Sequence, residues 1–404
     1  MSSQTRSGDA AATGGLPPRG PAGASGPVRI VDATDDTQEA WDALAVHSPR
    51  GEALQSHAWG ELKRDTGWSP RRYRIEDAGG PLAVLSMQER ELLAPAARRL
   101  PGPMGRSRTL PLLAGRMLYA PFGPVLLREE PAAVRQTLDA VRRLARARRA
   151  ALLVMDPNWE AGLGPAALLT EAGFRPAERP IQVSTTAMWV PLEADDAAQR
   201  KHLNENAWRN VGRCRKAGVE VVRLDAATPP AELDAALEVA YEMLAETGRR
   251  KGFGEYLRPA AYHNAGMRRL IRSGAASLWF ALHEGREAAH TLVHHCGRRA
   301  LLFQAGEGAV EQKRVPANFL LQWEIIRWAA GAGFAFYDMG GVDDHASPGL
   351  PRDESHPLWG LFRFKSQWGA RPVQYVGAHE YSPWPLLGLS LRAARRIADR
   401  KRPG

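Results

Sequence analysis

Cysteine is nearly absent from this 404-residue chain, which holds two, Cys214 and Cys296. Two thiols build neither a disulfide framework nor a cysteine-rich zinc site, and so low a count fits a reducing compartment. Long apolar runs are missing too: no stretch approaches the ~20 residues that a bilayer-spanning helix requires. The opening 27 residues, MSSQTRSGDAAATGGLPPRGPAGASGP, lack the apolar core of a secretory signal. A cytoplasmic protein with a disordered Gly/Ala/Ser/Pro tail over 1–27 is the expectation.

Several catalytic signatures are missing as well. There is no Walker phosphate loop, no dinucleotide-binding GxGxxG and no serine nucleophile elbow. His290, His294 and His295 fall on an expected strand with no cysteine or carboxylate at ligand spacing. They read as ordinary core or surface histidines rather than a metal site.

What the chain does have is positive charge and an alternating α/β pattern. Lys+Arg of 54 against Asp+Glu of 44 gives a net charge of +10, with a pI near 9.9. That balance favours anionic partners. The length exceeds one ordinary core, so two domains of roughly 150–200 residues are expected. Period-2 and period-3.6 patterns alternate: strands at 70-PRRYRIED, 81-PLAVLSMQERE and MLYAPFGPVLL, then the helix 131–150 opened by proline. Beyond 181-IQVSTTAMWVPL come a basic helix over about 196–217, two further helices, three antiparallel strands, the helix 316–333 and the strand 334-FAFYDMGG. The fold class is α/β with mixed (α+β) sheets.

The topology of helices, antiparallel strands, helix and strand occurs in both halves and suggests acyltransferase-like units, hence coenzyme A. The junction 312-QKRVPANF argues otherwise. A pyrophosphate loop needs small residues whose N–H groups reach phosphate, and Val315 and Pro316 occupy those positions. Basic residues are better organised. Arg209, Arg213 and Lys216 stand at i, i+4 and i+7, a stripe suited to phosphates or to solvent. The loop 247-TGRRKGFGEYLRP-259 mixes Arg258 and its neighbours with Phe253 and Tyr256, a combination suited to phosphate or a stacked base. Near the C-terminal end, 360-GLFRFKSQWGA-370 sets Lys365 among aromatics, either snorkelling to solvent or held in a pocket.

The stretches 56-SHAWGELKRDTGW-68, 119-YAPFGPVL-126, 209-RNVGRCRKAGVEV-221, 317-ANFLLQWEIIRWAAGAGFAFYDMGGV-342 and 361-LFRFKSQWGA-370 together resemble the Fem family (FemX, FemA, FemB). These are peptidoglycan bridge-forming enzymes that use aminoacyl-tRNA as donor. The resemblance implies two acyltransferase (GNAT)-like domains, the second inserted before the chain returns to the first: 28–178 with 374–404, and 179–373. The short connection after Val222 resembles the armless FemX type. By the same resemblance Lys63 contacts a substrate phosphate, Arg258 partners it with Tyr256 alongside, and Arg209, Arg213 and Lys216 meet tRNA phosphates. Lys365 matches the lysine of F-K-x-x-[FW]-G, in the channel where the aminoacyl end meets its acceptor. Asp338 is the nearest motif carboxylate, with a helix- or turn-capping role expected.

The implied reaction joins Gly, Ala or Ser from aminoacyl-tRNA to an amine of a UDP- or lipid-linked muropeptide, by a monomer that needs no cofactor. A peptide or nucleoside antibiotic is an alternative acceptor, and a non-catalytic RNA- or membrane-binding protein an alternative class. The basic amphipathic segment 386-LLGLSLRAARRIADRKR-402 either packs on the domain or docks on the inner face of the plasma membrane.

Overall fold

The computed structural model describes residues 27–91, 115–178, 181–182, 184–308, 315–344 and 347–384. Residues 1–26 of the tail expected over 1–27 lie outside the described residues, as does the basic segment 386–402.

The first half runs β1 (Arg29–Asp32), α1 (Gln38–Ala45), α2 (His57–Arg64), β2 (Ser69–Asp77), β3 (Gly80–Glu91), β4 (Arg116–Phe122), β5 (Val125–Leu126), α3 (Pro131–Ala147), β6 (Ala150–Pro157), α4 (Pro165–Glu171) and β7 (Arg175–Pro176). The second runs β8 (Thr186–Pro191), α5 (Asp196–His202), α6 (Glu205–Lys216), β9 (Glu220–Leu224), α7 (Pro230–Lys251), α8 (Ala260–Arg272), β10 (Ala276–His283), β11 (Arg286–Cys296), β12 (Arg299–Glu307), α9 (Ala317–Gly331), β13 (Phe336–Gly341), α10 (Trp359–Ser366) and β14 (Arg371–Gln374). A last strand, β15 (His379–Tyr381), returns to the first sheet and pairs with β6 and β7. The sheet orders are β1-β2-β3-β4-β6-β15-β7, with β5 on β3, and β14-β8-β13-β12-β11-β10-β9.

Local chemistry places the breaks. Ser56 caps α2 by accepting from the Trp59 N–H, and Pro131 opens α3. The single basic helix expected over 196–217 is two helices. Asn204 interrupts it and caps α6, its side chain accepting from the Ala207 N–H at 2.9 Å while its own N–H donates to the Gln367 carbonyl. Asparagine stabilises a helix start better than a helix interior. The strand expected over 117–127 is also two, β4 and β5, because Pro124 has no N–H to continue a ladder.

Each sheet contains one parallel pair of long strands, and the two pairs differ. In the first half β4 and β6, after a register shift between Arg116 and Met117, stay registered from Met117↔Leu152 to Phe122↔Pro157. In the second, β12 and β13 are registered at Arg299↔Phe336, Ala300↔Tyr337 and Leu301↔Asp338 and then part. Leu302–Glu307 continue beside β11, while Gly341 pairs with Ala187 of β8. The second sheet therefore opens a wedge at the C-terminal ends of its parallel strands.

The halves share a core. Trp41, Ala45, Val46 and Ala58 of the first pack with Leu233, Leu237, Met267, Leu270, Phe280 and Leu292 of the second. Helix α2 crosses α8 so closely that a Cβ at Gly266 would stand 2.6 Å from Leu62 Cδ2. Leu62 is 2% exposed and spans that seam. Leu62→Ala should cost about 2–5 kcal/mol, read as a lowered midpoint in urea unfolding. An unchanged midpoint would show that the seam does not hold the halves together.

Candidate active site

Helix α10 carries Lys365, and the residues after it explain the lysine's direction. Trp368 is fully buried, 5.9 Å from the Phe319 ring and 6.1 Å from Phe364, which fastens α10 onto α9. Gly369 follows at φ +73°, where a Cβ would meet the His202 carbonyl at 2.6 Å, so the chain turns tightly away. Lys365 is thereby aimed into the protein and is 5% exposed. Its Nζ donates to the Gly341 carbonyl at 2.6 Å. Of the two readings from sequence, capture holds. Among the described residues no other acceptor takes the remaining ammonium hydrogens. Burial pushes its pKa from 10.5 down to about 8, against the opposing charge of Asp338.

Below the lysine lies the DMGG end of β13. Asp338 does cap a turn, its Oδ1 accepting from the Gly340 N–H at 2.8 Å. Gly340 sits at φ +76°, and a Cβ there would be 3.3 Å from the Leu302 carbonyl and 3.8 Å from Lys365 Nζ. These glycines let β12, β13 and the ammonium converge at the mouth of the wedge. The other Asp338 oxygen accepts from Arg299 Nη1 at 2.7 Å and from the Tyr375 hydroxyl at 3.3 Å. Arg299 Nη2 in turn donates to Glu52, which also accepts from Asn158. Burial pushes the Glu52 carboxyl up to about 7, with Arg299 opposing. Glu52, Arg299 and Tyr375 went unnoticed in the sequence, where 247 positions separate Glu52 from Arg299. A charged residue opening the otherwise apolar strand RALLF was the one local sign.

Lys63 sits elsewhere on the rim of the wedge. It is half-buried: its Nζ donates to the Tyr262 hydroxyl at 3.0 Å and lies 4.4 Å above the Trp59 ring. Tyr262 belongs to the first turn of α8, and Arg258 precedes that helix. The Arg258 side chain is exposed while its carbonyl accepts from the Tyr241 hydroxyl at 2.7 Å. Tyr256 is 76% exposed. From Tyr262 the path is continuous: His263 hydrogen-bonds Gln304 at 2.7 Å, and Gln304 lies on the stretch of β12 that has left β13. Tyr262 and His263 were missed, although an aromatic in the first helical turn after Arg258 was a legible sign.

Arg209, Arg213 and Lys216 are exposed on α6, with no carboxylate paired to them among the described residues. Their helix begins beside α10, where Asn206 donates to Gln367. At the start of α9 the Ala317 N–H donates to the Val315 carbonyl and the Phe319 N–H to that of Pro316, both at 2.9 Å. The histidines sort by face. His290 and His294 are buried and His294 stacks on Phe303, while His295 turns to Gly274 and Ser277.

The strands β12 and β13 that part lie within residues 203–347, which a model of the acetyltransferase (GNAT) domain matches. The chain as a whole is two GNAT-like units with the second inserted into the first. The lipid II:glycine glycyltransferase of Staphylococcus haemolyticus (strain JCSC1435) is 22% identical over 417 residues, covering 85% of this chain and 91% of that protein. Its counterpart in Staphylococcus aureus (strain MRSA252) is 22% identical over 422 residues, with the same coverage. The crystal structure of FemX superposes with a TM-score of 0.70 at 19% identity, covering 89% of this chain and 99% of that one. The likeness to FemX is one of fold.

Lys365 should lose its proton near pH 8 rather than above 10. NMR titration of its ¹⁵N-labelled ammonium, assigned by Lys365→Met, reads this directly. A value above 10 would mean the side chain is hydrated.

Proposed function

We propose that the chain is an aminoacyltransferase that takes an amino acid from aminoacyl-tRNA and forms a peptide bond with an amine of a peptidoglycan precursor stem peptide. The observation that carries this reading is the buried Lys365 ammonium at the mouth of the wedge, with one hydrogen held by Gly341 and no other protein acceptor among the described residues. Such a charge awaits an anion. In attack of an amine on an aminoacyl ester, the carbonyl oxygen becomes that anion. The C–N bond forms, the ester C–O bond breaks, and the tRNA hydroxyl leaves with the proton that the amine gives up. The ester is already activated, so placement of the two substrates supplies most of what remains.

Lys63, hydrogen-bonded to Tyr262, suits the phosphate of a UDP- or lipid-linked precursor, with Arg258 and Tyr256 as its proposed partners there. Arg209, Arg213 and Lys216 suit the tRNA backbone. Acyl-CoA fits poorly: Pro316 has no N–H, and those of Ala317 and Phe319 are spent on their own chain. No step is assigned to a cofactor. The relatives named as lipid II:glycine glycyltransferases favour a lipid-linked acceptor and, of the small donors Gly, Ala and Ser, glycine. The short link from Leu224 to Pro230 suits an armless, FemX-like member. Among the described residues no helix is long and apolar enough to cross a membrane. Reaching a lipid-linked acceptor would thus fall to surface contact, with 386–402 the candidate segment and the cytoplasmic face the place. A monomer suffices, since one chain supplies both rims of the wedge.

The test offers charged tRNAs with UDP- and lipid-linked precursors and identifies the product by mass. Transfer is expected, with Lys365→Ala lowering kcat by about 10²–10³-fold. Lys63→Ala is expected to raise KM for the precursor. Undiminished transfer by Lys365→Ala would remove the lysine from the site, and binding of tRNA without any transfer would leave an RNA-binding protein.

A further inference from the structure

The geometry points to Asp338 as a positioning residue for Lys365, held in place by Arg299, which is itself anchored to Glu52 of the other half of the molecule. This inference rests on the reaction proposed above and goes beyond it.

Five contacts carry it. Asp338 Oδ1 fixes the Gly340 N–H, and so the turn whose next carbonyl, that of Gly341, holds Lys365 Nζ. Asp338 Oδ2 is itself fixed by Arg299 and by Tyr375. Arg299 is 7% exposed and reaches across the seam to Glu52, 3% exposed, on the first half. A displacement of Glu52 is thereby transmitted through two side chains and one turn to the ammonium.

Charge reinforces the geometry. Asp338 is the one group whose charge raises the Lys365 pKa. The other charged groups around the lysine are turned elsewhere. Asp343, past β13, accepts from Ser184, Thr185 and Thr186. His202 of α5 hydrogen-bonds Glu193. Arg363 on the lysine's own helix is exposed and lies 3.8 Å from Glu354, and Arg299 is bonded to Asp338 and Glu52. Removing the Asp338 charge leaves burial unopposed, so Lys365 sheds its proton at lower pH. The alkaline limb of turnover moves toward acid.

The experiment measures kcat and both KM values against pH for wild type, Asp338→Asn and Glu52→Gln, with the ¹⁵N titration of Lys365 alongside. Asparagine keeps an acceptor for the Gly340 N–H. Asp338→Asn should move the alkaline limb and the ammonium titration down by about one pH unit, with both KM values within about twofold. Glu52→Gln should move them the same way by less, because Arg299 then offsets more of Asp338. Should Asp338→Asn not fold, Glu52→Gln carries the test. A limb and a titration that stay in place, or a loss equal at every pH, would reduce Asp338 to a structural role. Absence of transfer by the wild-type enzyme would instead sink the proposed reaction, while the titration would still decide the role of Asp338.

Discussion

A guanidinium between two carboxylates, one from each half, is the constraint on which the rest of the site depends. Glu52, Arg299 and Asp338 are all buried, and burying ions costs several kcal/mol each unless charge and hydrogen bonds are closely matched. Above about pH 7, where Glu52 is ionised, two carboxylates and one guanidinium leave one negative charge over. Lys365, also buried, supplies the missing positive charge, so the four groups together are neutral. The ammonium can be kept out of water because the triad beneath it carries the opposite excess. Asn158 and Tyr375 add hydrogen bonds to the two carboxylates. The seam between the halves and the charge at the wedge are thus one electrostatic system.

Around that system the apolar packing is arranged so that the wedge stays open. Trp368 and Phe364 lock α10 against Phe319, and the shared core pins α1 and α2 against α7 and α8. Both rims of the wedge are therefore rigid while β12 and β13 between them have parted from each other. Preorganised charge stabilises a developing anion well because it does not have to reorient.

Much of this was legible from sequence. Helices and strands followed their periodicities to within a few residues, and the F-K-x-x-W-G stretch marked Lys365 before any contact was known. What was not legible was long-range or competitive. The partnership of Glu52 with Arg299 joins residues 247 positions apart, and no local pattern encodes it. Asn204 lies inside a basic, helix-forming run, yet capping chemistry prevailed over propensity there. Asp338 was read as a turn former, which is half its structure. A carboxylate has two oxygens, and the second faces a strand whose register sequence alone does not supply.

The contrast between the two halves explains why the site lies where it does. Parallel strands that stay registered, as β4 and β6 do through Phe122↔Pro157, satisfy each other's backbone groups and leave no room between them. Strands that part, as β12 and β13 do beyond Leu301↔Asp338, expose N–H and C=O groups that a ligand can meet. Gly340 and Gly341 make that parting sterically possible, and Lys365 takes one of the freed carbonyls. The first half keeps its own parallel pair closed. What it brings to the second is Lys63 on the rim and Glu52 beneath the floor, so one copy of the fold frames the wedge that the other opens.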